Sequence, residues 1–275
     1  MWSVHRYWDE NKWDTVDFLN YAASINLKGV ELLSVLWRNQ TEELPQVMEA
    51  LEKHQIKVSC YSASNNFVST DSKIRQEQLK EVTDSIDMAV YLSAPVVRVF
   101  SGEITEDNVT YEQGLDYVID GLTKAAQYAE SKGVTLCLEN HGLFAGRSDQ
   151  VIDIIRKVGS PALRSTFDTG NFLLVGQDPN DAIDHLKDYV KHVHIKDFQK
   201  VSADEDKEVY KALNGENFQG KIPGEGEVDL HYVLSKIKST GYDGWISVEF
   251  EGIEDPKEGS TCSVEYVNQL LESIR

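Results

Sequence analysis

Carboxylates and imidazoles interrupt four apolar runs of this chain, each near the end of its run. The segments are Leu136 to His141, Leu163 to Asp168, Val190 to Lys196 and Ile246 to Glu251. Side chains of an extended strand alternate between faces, so parity sorts these residues. If Leu136 and Leu138 pack outward, then Cys137, Glu139 and His141 point the other way. Arg164, Thr166 and Asp168 share a face. His192, His194 and Lys196 lie opposite Val193 and Ile195, and Ser247, Glu249 and Glu251 lie opposite Ile246, Val248 and Phe250. Burying several carboxylates and imidazoles together is costly unless a cation neutralises them. A divalent metal does so most directly. Glu139, Asp168, His194 and Glu249 offer three oxygens and one nitrogen, a hard mixed set suited to one Mn²⁺, Mg²⁺ or Co²⁺ ion rather than a thiolate metal, with Zn²⁺ also admissible.

Each residue also has a purely structural reading. Glu139 pairs with Arg98, or Asp168 caps the turn Asp168-Thr169-Gly170-Asn171. His192 reads as an ordinary interior histidine and Glu251 as a rim residue. Asp229 and His231 have a ligand-like spacing, but they open a helix after a Gly-rich turn, so Asp229 reads as its N-cap. What lifts the main four above these readings is that all fall at equivalent ends of successive strands.

The elements that must position them alternate along the chain. Leu115, Val118, Ile119, Leu122, Ala126 and Ala129 form a helical stripe. Thr110 with Gln113 starts it as a capping box and Lys132-Gly133 stops it, ahead of a strand at Val134–Leu138. Equivalent units are the helix Asp14–Asn26 before the strand Val30–Leu33, Thr41–His54 before Lys57–Ser62, and Ser72–Leu92 before Val96–Phe100. A helix capped by Ser148 and stopped by Gly159 precedes Leu163–Phe167. Pro179–Lys187 precedes Val190–Lys196, Leu230–Lys238 precedes Trp245–Phe250, and Val264–Ile274 closes the chain. With Trp2–Tyr7 as a first strand the count reaches eight. That count selects an α/β fold of one (β/α)8 TIM barrel over an open doubly wound sheet. Residues 1–275 read as one domain with a long polar connection at about 198–228, a length that usually carries function or covers a site. Its Ala203–Glu208 stretch reads equally as an acidic surface loop.

Composition narrows the function classes. The chain has 275 residues, 46 acidic against 27 basic, for a net charge of −19. Such a surface repels phosphate backbones and argues against coating nucleic acid. Three scattered cysteines, Cys60, Cys137 and Cys262, make no metal-ribbon spacing and suit a reducing compartment. No apolar run spans a membrane and the first ten residues lack a signal-like core, so a cytoplasmic location is expected. The same reading admits a homo-oligomer.

The ordered pieces Gly29-Val30-Glu31-Leu32, Leu138-Glu139-Asn140-His141, Phe167-Asp168-Thr169-Gly170-Asn171, His192-Val193-His194-Ile195-Lys196-Asp197, Pro223-Gly224-Glu225-Gly226-Glu227 and Val248-Glu249 resemble the xylose isomerase-like barrel superfamily of sugar isomerases and epimerases. Any one is weak; the ordered set is specific. The resemblance implies that Glu139, Asp168, His194 and Glu249 ligate one divalent ion, and that the two glutamates serve as the acid/base pair, as in ketose 3-epimerases of the family. Where the family often has a substrate-contacting histidine, three residues after the metal aspartate, this chain has Asn171. The basic residue often found six beyond the metal histidine is here Lys200.

The expected activity is a metal-dependent sugar or sugar-phosphate isomerase or epimerase, in which a glutamate takes a proton next to a carbonyl through a metal-stabilised enediolate. His141 and Lys196 are the expected contacts to substrate hydroxyls or the developing oxyanion, with pairing to Asp197 the structural alternative for Lys196. A dehydratase of a keto-cyclitol or related keto-acid starts with the same proton abstraction. An endonuclease IV-like hydrolase needs further histidines, one of them where Asn171 stands, and a silent sugar-binding barrel would not need both glutamates.

Overall fold

The computed structural model describes residues 1–202 and 209–274. The expected Ala203–Glu208 loop lies outside the described residues. Seven parallel strands form a nearly closed barrel: β1 (Gly29–Leu33), β2 (Lys57–Ser62), β3 (Val96–Val99), β4 (Thr135–Glu139), β5 (Leu163–Asp168), β6 (Val190–Ile195) and, after an excursion, β10 (Ile246–Val248), hydrogen-bonded in that order. Helices between successive strands cover the outside. Leu32, Val97, Val99, Leu136, Leu138, Phe167, Val193 and Ile195 are fully buried beneath Leu19, Ile86, Leu122, Ala126 and Ile183 of those helices. The other strand face points inward and carries the buried polar groups.

Several helix ends follow their sequence signals. Thr110 accepts from the Gln113 amide in a reciprocal capping box, and Asp229 accepts from the Tyr232 amide. Gly133 and Gly159 end their helices with φ of 72° and 67°, a left-handed turn that glycine takes without steric cost. Two boundaries differ. The helix expected to be capped by Ser148 has Arg147 as its N-cap, because the Ser148 hydroxyl is engaged by Gln177 Nε2 at 2.7 Å. The closing helix begins earlier, at Pro256, where the Asp255 carboxylate accepts from the Lys257 and Glu258 amides.

The first expected strand is absent. Trp2–Val4 is a 3₁₀ turn and Arg6–Asp9 one helical turn. The aromatic spacing explains it: Trp2 stacks on His5, three residues on, with ring centroids 4.2 Å apart, and Val4 and Trp8 are both buried, four residues apart. Those are helical rather than alternating intervals. Residues 1–3 instead bridge the barrel seam between β1 and β10. The Met1 amine donates to Glu31 O at 3.0 Å, and the Ser3 hydroxyl donates to Val248 O and accepts from the Phe250 amide, both at 3.0 Å.

The long connection after β6 is also ordered where described. It folds into a small antiparallel sheet of β7 (Asp197–Val201), β8 (Tyr210–Lys211) and β9 (Asn217–Lys221), in the order β7-β9-β8. Asp197 anchors the turn that follows. Its carboxylate accepts from the amides of Phe198 and Gly224 at 2.9 Å, Gly226 at 3.0 Å and Val228 at 3.1 Å. The Pro223–Glu227 motif is therefore wrapped around Asp197, and a side chain at Gly226 would collide with that carboxylate. Among the described residues no helix is long and apolar enough to cross a membrane.

Candidate metal centre

The four expected ligands converge. Glu139 closes β4, Asp168 closes β5, His194 is the penultimate residue of β6, and Glu249 follows β10 directly. Strand register aligns them: Asp168 pairs with His194, and His194 with Ser247. One donor atom from each lies within 4.8 Å of the other three. His194 Nδ1 stands 3.7 Å from Glu139 Oε2, 3.9 Å from Asp168 Oδ2 and 3.6 Å from Glu249 Oε2. Donors each about 2.1 Å from one octahedral ion sit about 3–4 Å apart, so the spacing suits a small divalent cation.

Hydrogen bonding tests the fit independently. Glu139 Oε2, Asp168 Oδ2 and His194 Nδ1 are buried and have no hydrogen-bond partner. Buried polar atoms are rarely left this way. Here three of the four converging donor atoms are, Glu139 Oε2 and Asp168 Oδ2 meeting only a cation each, while the rest of each side chain is held in place. Asp168 Oδ1 accepts from the amides of Gly170 and Asn171 at 2.9 Å, which turns Oδ2 towards the centre. The expected capping role of Asp168 is thus real and compatible with ligation. Asn140 brackets the same residue, donating to Asp168 O and accepting from Asp168 N. Glu139 Oε1 accepts from Asn171 Nδ2 at 3.1 Å.

Charge points the same way. The carboxylates of Glu31, Glu139, Asp168, Glu249 and Glu251 surround the inner barrel, against the permanent cations Arg98 and Lys196. Arg98 Nε lies 3.1 Å from Glu139 Oε2, so the structural ion pair read from the sequence is present beside the candidate ligand role. Lys196 Nζ lies 2.6 Å from Glu249 Oε2 and 3.3 Å from both Asp168 Oδ2 and Glu251 Oε1. It does not pair with Asp197. Burial disfavours the charged Lys196, but Asp168, Glu249 and Glu251 outweigh it and hold the ammonium well above its ordinary range. Burial likewise pushes Glu249 up, yet Lys196 and His194 hold it well below the usual carboxylate range. For Asp168 burial wins, against Lys196 and reinforced by Glu249 and Glu139, and its carboxyl is raised to about 7. Carboxylates in excess of fixed cations, hard donors and buried donor atoms without hydrogen bonds together fit a divalent ion.

The remaining expected site residues separate into two groups. His141 lies at the mouth, 42% exposed, against Phe100 with ring centroids 5.0 Å apart. It lines a cavity of about 170 Å³ with Trp2, Arg98, Lys196, Glu249 and Glu251. Asn171 is buried beside Glu139 and reaches Lys196 Nζ at 3.5 Å. Lys200 is elsewhere: it lies on β7, its ammonium pairs with Glu216 just before β9, and it does not line the cavity. Lys200 stands apart from this cavity because β6 ends at Ile195 and the chain turns into β7 before Lys200. His192 is buried as expected, with its charged form disfavoured by burial. Glu251 is more enclosed than a rim residue, held by Lys196 and by the Trp2 indole. Glu31 received no role from sequence, yet both histidines of β6 are bonded to it. Its signal was the same as for the three carboxylates of the quartet, one acidic residue inside an apolar strand.

Comparison with known proteins agrees with this architecture. The family model described as a xylose isomerase-like TIM barrel matches residues 19–270. An inosose dehydratase of Lacticaseibacillus casei is 32% identical over 143 residues, which span 51% of this chain and 47% of that protein, about half of each. The structure of a 3-keto-D-glucoside 4-epimerase from E. coli superposes with a TM-score of 0.74 at 16% identity, covering 93% of this chain and 94% of that one. A xylose isomerase-like TIM barrel protein from Mycobacterium smegmatis, solved in complex with magnesium, gives a TM-score of 0.75 at 17% identity over 94% of this chain and 88% of the other.

Proposed function

The chain belongs to the xylose isomerase-like TIM barrel family, and from that premise we propose that it is a divalent-metal-dependent isomerase or epimerase of a small sugar or sugar phosphate. The observation that carries this reading is the convergence of Glu139 and Glu249, from non-adjacent strands β4 and β10, on His194 Nδ1 at 3.7 and 3.6 Å. When bound, a divalent ion supplies a Lewis acid that lowers the cost of negative charge developing on a substrate carbonyl oxygen. Glu139, Asp168, His194 and Glu249 would hold it.

The chain's own groups supply the proton chemistry. One glutamate removes the proton from the carbon next to the carbonyl. The other returns a proton to the opposite face in epimerisation, or a proton exchangeable with solvent is delivered to the adjacent carbon in isomerisation. Asn171 and Arg98 fix the Glu139 carboxylate, and Lys196 fixes that of Glu249. His141 and Lys196 face the cavity as hydrogen-bond donors for substrate hydroxyls or the charge developing on oxygen. Trp2 and Phe100 supply apolar walls to that cavity.

A second reading, dehydration of a keto-cyclitol or related keto-acid, is favoured by the likeness to inosose dehydratase. It shares the first proton transfer and differs in the loss of water. Both are separated by NMR of ketoses, keto-cyclitols and their phosphates in D₂O with Mg²⁺ present. Epimerisation or isomerisation gives solvent deuterium at the exchanged carbon with unchanged composition, whereas dehydration gives a product lighter by one water. Glu139→Gln and Glu249→Gln each abolish the exchange. Wild-type exchange in either variant would overturn the assignment of the two glutamates.

A further inference from the structure

We propose that Glu31 is a positioning residue of the metal centre: its carboxylate takes the Nε2–H of His194 and thereby fixes Nδ1 as the free donor facing Glu139, Asp168 and Glu249. The proposal rests on reading that quartet as a metal site. His194 Nε2 lies 3.2 Å from Glu31 Oε1 and 3.1 Å from Oε2, while Nδ1, across the ring, faces the three carboxylates. A neutral imidazole carries one N–H, and an ionised carboxylate can only accept. With the ring held between two sets of carboxylates, the proton of a ligating His194 belongs on Nε2, bonded to Glu31.

The environment leaves Glu31 little freedom to do otherwise. Its Oε2 also accepts from His192 Nε2 at 2.8 Å, and the Ser62 hydroxyl donates to Oε1. The two imidazoles meet edge to face, with centroids 5.1 Å apart and planes at 83°. Three donors thus converge on one carboxylate beneath the ligand quartet. A carboxylate behind a ligating histidine fixes its tautomer and increases its basicity as a donor. The neighbouring trio Glu31, Cys60 and His192 also lies within ligand distance of one another. Within it, burial pushes the Cys60 thiol well up, and the His192 nitrogen nearest Glu31 is engaged in the hydrogen bond.

The test is Mn²⁺ titration by calorimetry of the full chain, with histidine ¹⁵N NMR of the Mg²⁺-loaded protein. In Glu31→Gln the amide can accept from one histidine but turns its own N–H towards the other. Mn²⁺ affinity is expected to fall about 10- to 100-fold, and His194 to lose its single Nε2–H tautomer. Ser62→Ala, which keeps the carboxylate but removes one of its donors, is expected to weaken Mn²⁺ binding several-fold. It carries the test if Glu31→Gln does not fold. A tautomer and an affinity unchanged from wild type in Glu31→Gln, or an affinity unchanged in Ser62→Ala where only that variant folds, would overturn the role of Glu31 while leaving the metal site intact. Wild-type protein that binds no Mn²⁺ would instead overturn the metal reading itself, and this proposal with it.

Discussion

Lys196 and Glu249 form the shortest ion pair of the inner barrel, 2.6 Å from Nζ to Oε2, and that oxygen also lies 3.6 Å from His194 Nδ1. A candidate metal ligand and a fixed ammonium therefore share one carboxylate oxygen. The lysine lowers the charge of the quartet and competes with any cation for Glu249 and Asp168.

Replacing this lysine separates affinity from turnover. Two like charges about 4 Å apart near a protein surface repel by several kcal/mol before screening. Lys196→Met should therefore bind Mn²⁺ about tenfold or more tightly in a calorimetric titration, while kcat falls because a donor to substrate oxygen is lost. Weaker Mn²⁺ binding in this variant would show that the ammonium supports the site rather than competing with its ion.

Asp168 contributes a pH dependence to the metal-free protein. Burial raises its carboxyl from the ordinary 3.8 to about 7. Between these values the folded state keeps a proton that the unfolded chain has released. The contribution is full below pH 3.8 and is lost as pH rises through about 7. A divalent ion substitutes for that proton, so saturating Mn²⁺ should raise Tm more at pH 8 than at pH 5. Scanning calorimetry at both pH values, with and without Mn²⁺, measures this; equal shifts would contradict it.

Asp197 provides a stability prediction away from the reaction. Its carboxylate satisfies the amides of Phe198, Gly224, Gly226 and Val228. Asp197→Ala leaves these donors without their acceptor and should cost about 3 kcal/mol or more in urea unfolding. Asp197→Asn, which retains one carbonyl oxygen, should cost less. A neutral alanine variant would show that the turn finds other acceptors.

Much of the centre was legible in the sequence because strand parity is strict while a strand lasts. Glu139, Asp168 and His194 each sit in an apolar run at its carboxyl end, and alternation placed them inward. Lys200 entered from the resemblance, as the basic residue six beyond His194, and the turn from β6 into β7 after Ile195 carries that position onto another sheet. The amino-terminal residues misled differently. Trp2, Val4 and Tyr7 are strand-favouring types in a run too short to separate a period of two from a period near four, and the Trp2–His5 stack decides it only in three dimensions. Glu31 carried the same signature as the found ligands, but its partners are two histidines more than 160 residues away. No local pattern announces a pairing at that distance.

The most direct test of the account is an anomalous difference map at the manganese edge from crystals grown with Mn²⁺. The account predicts one strong peak per chain, about 2.1 Å from Glu139, Asp168, His194 Nδ1 and Glu249, with the Lys196 ammonium displaced from Asp168. A map without density among these four groups, with Lys196 still seated on Asp168 and Glu249, would contradict it.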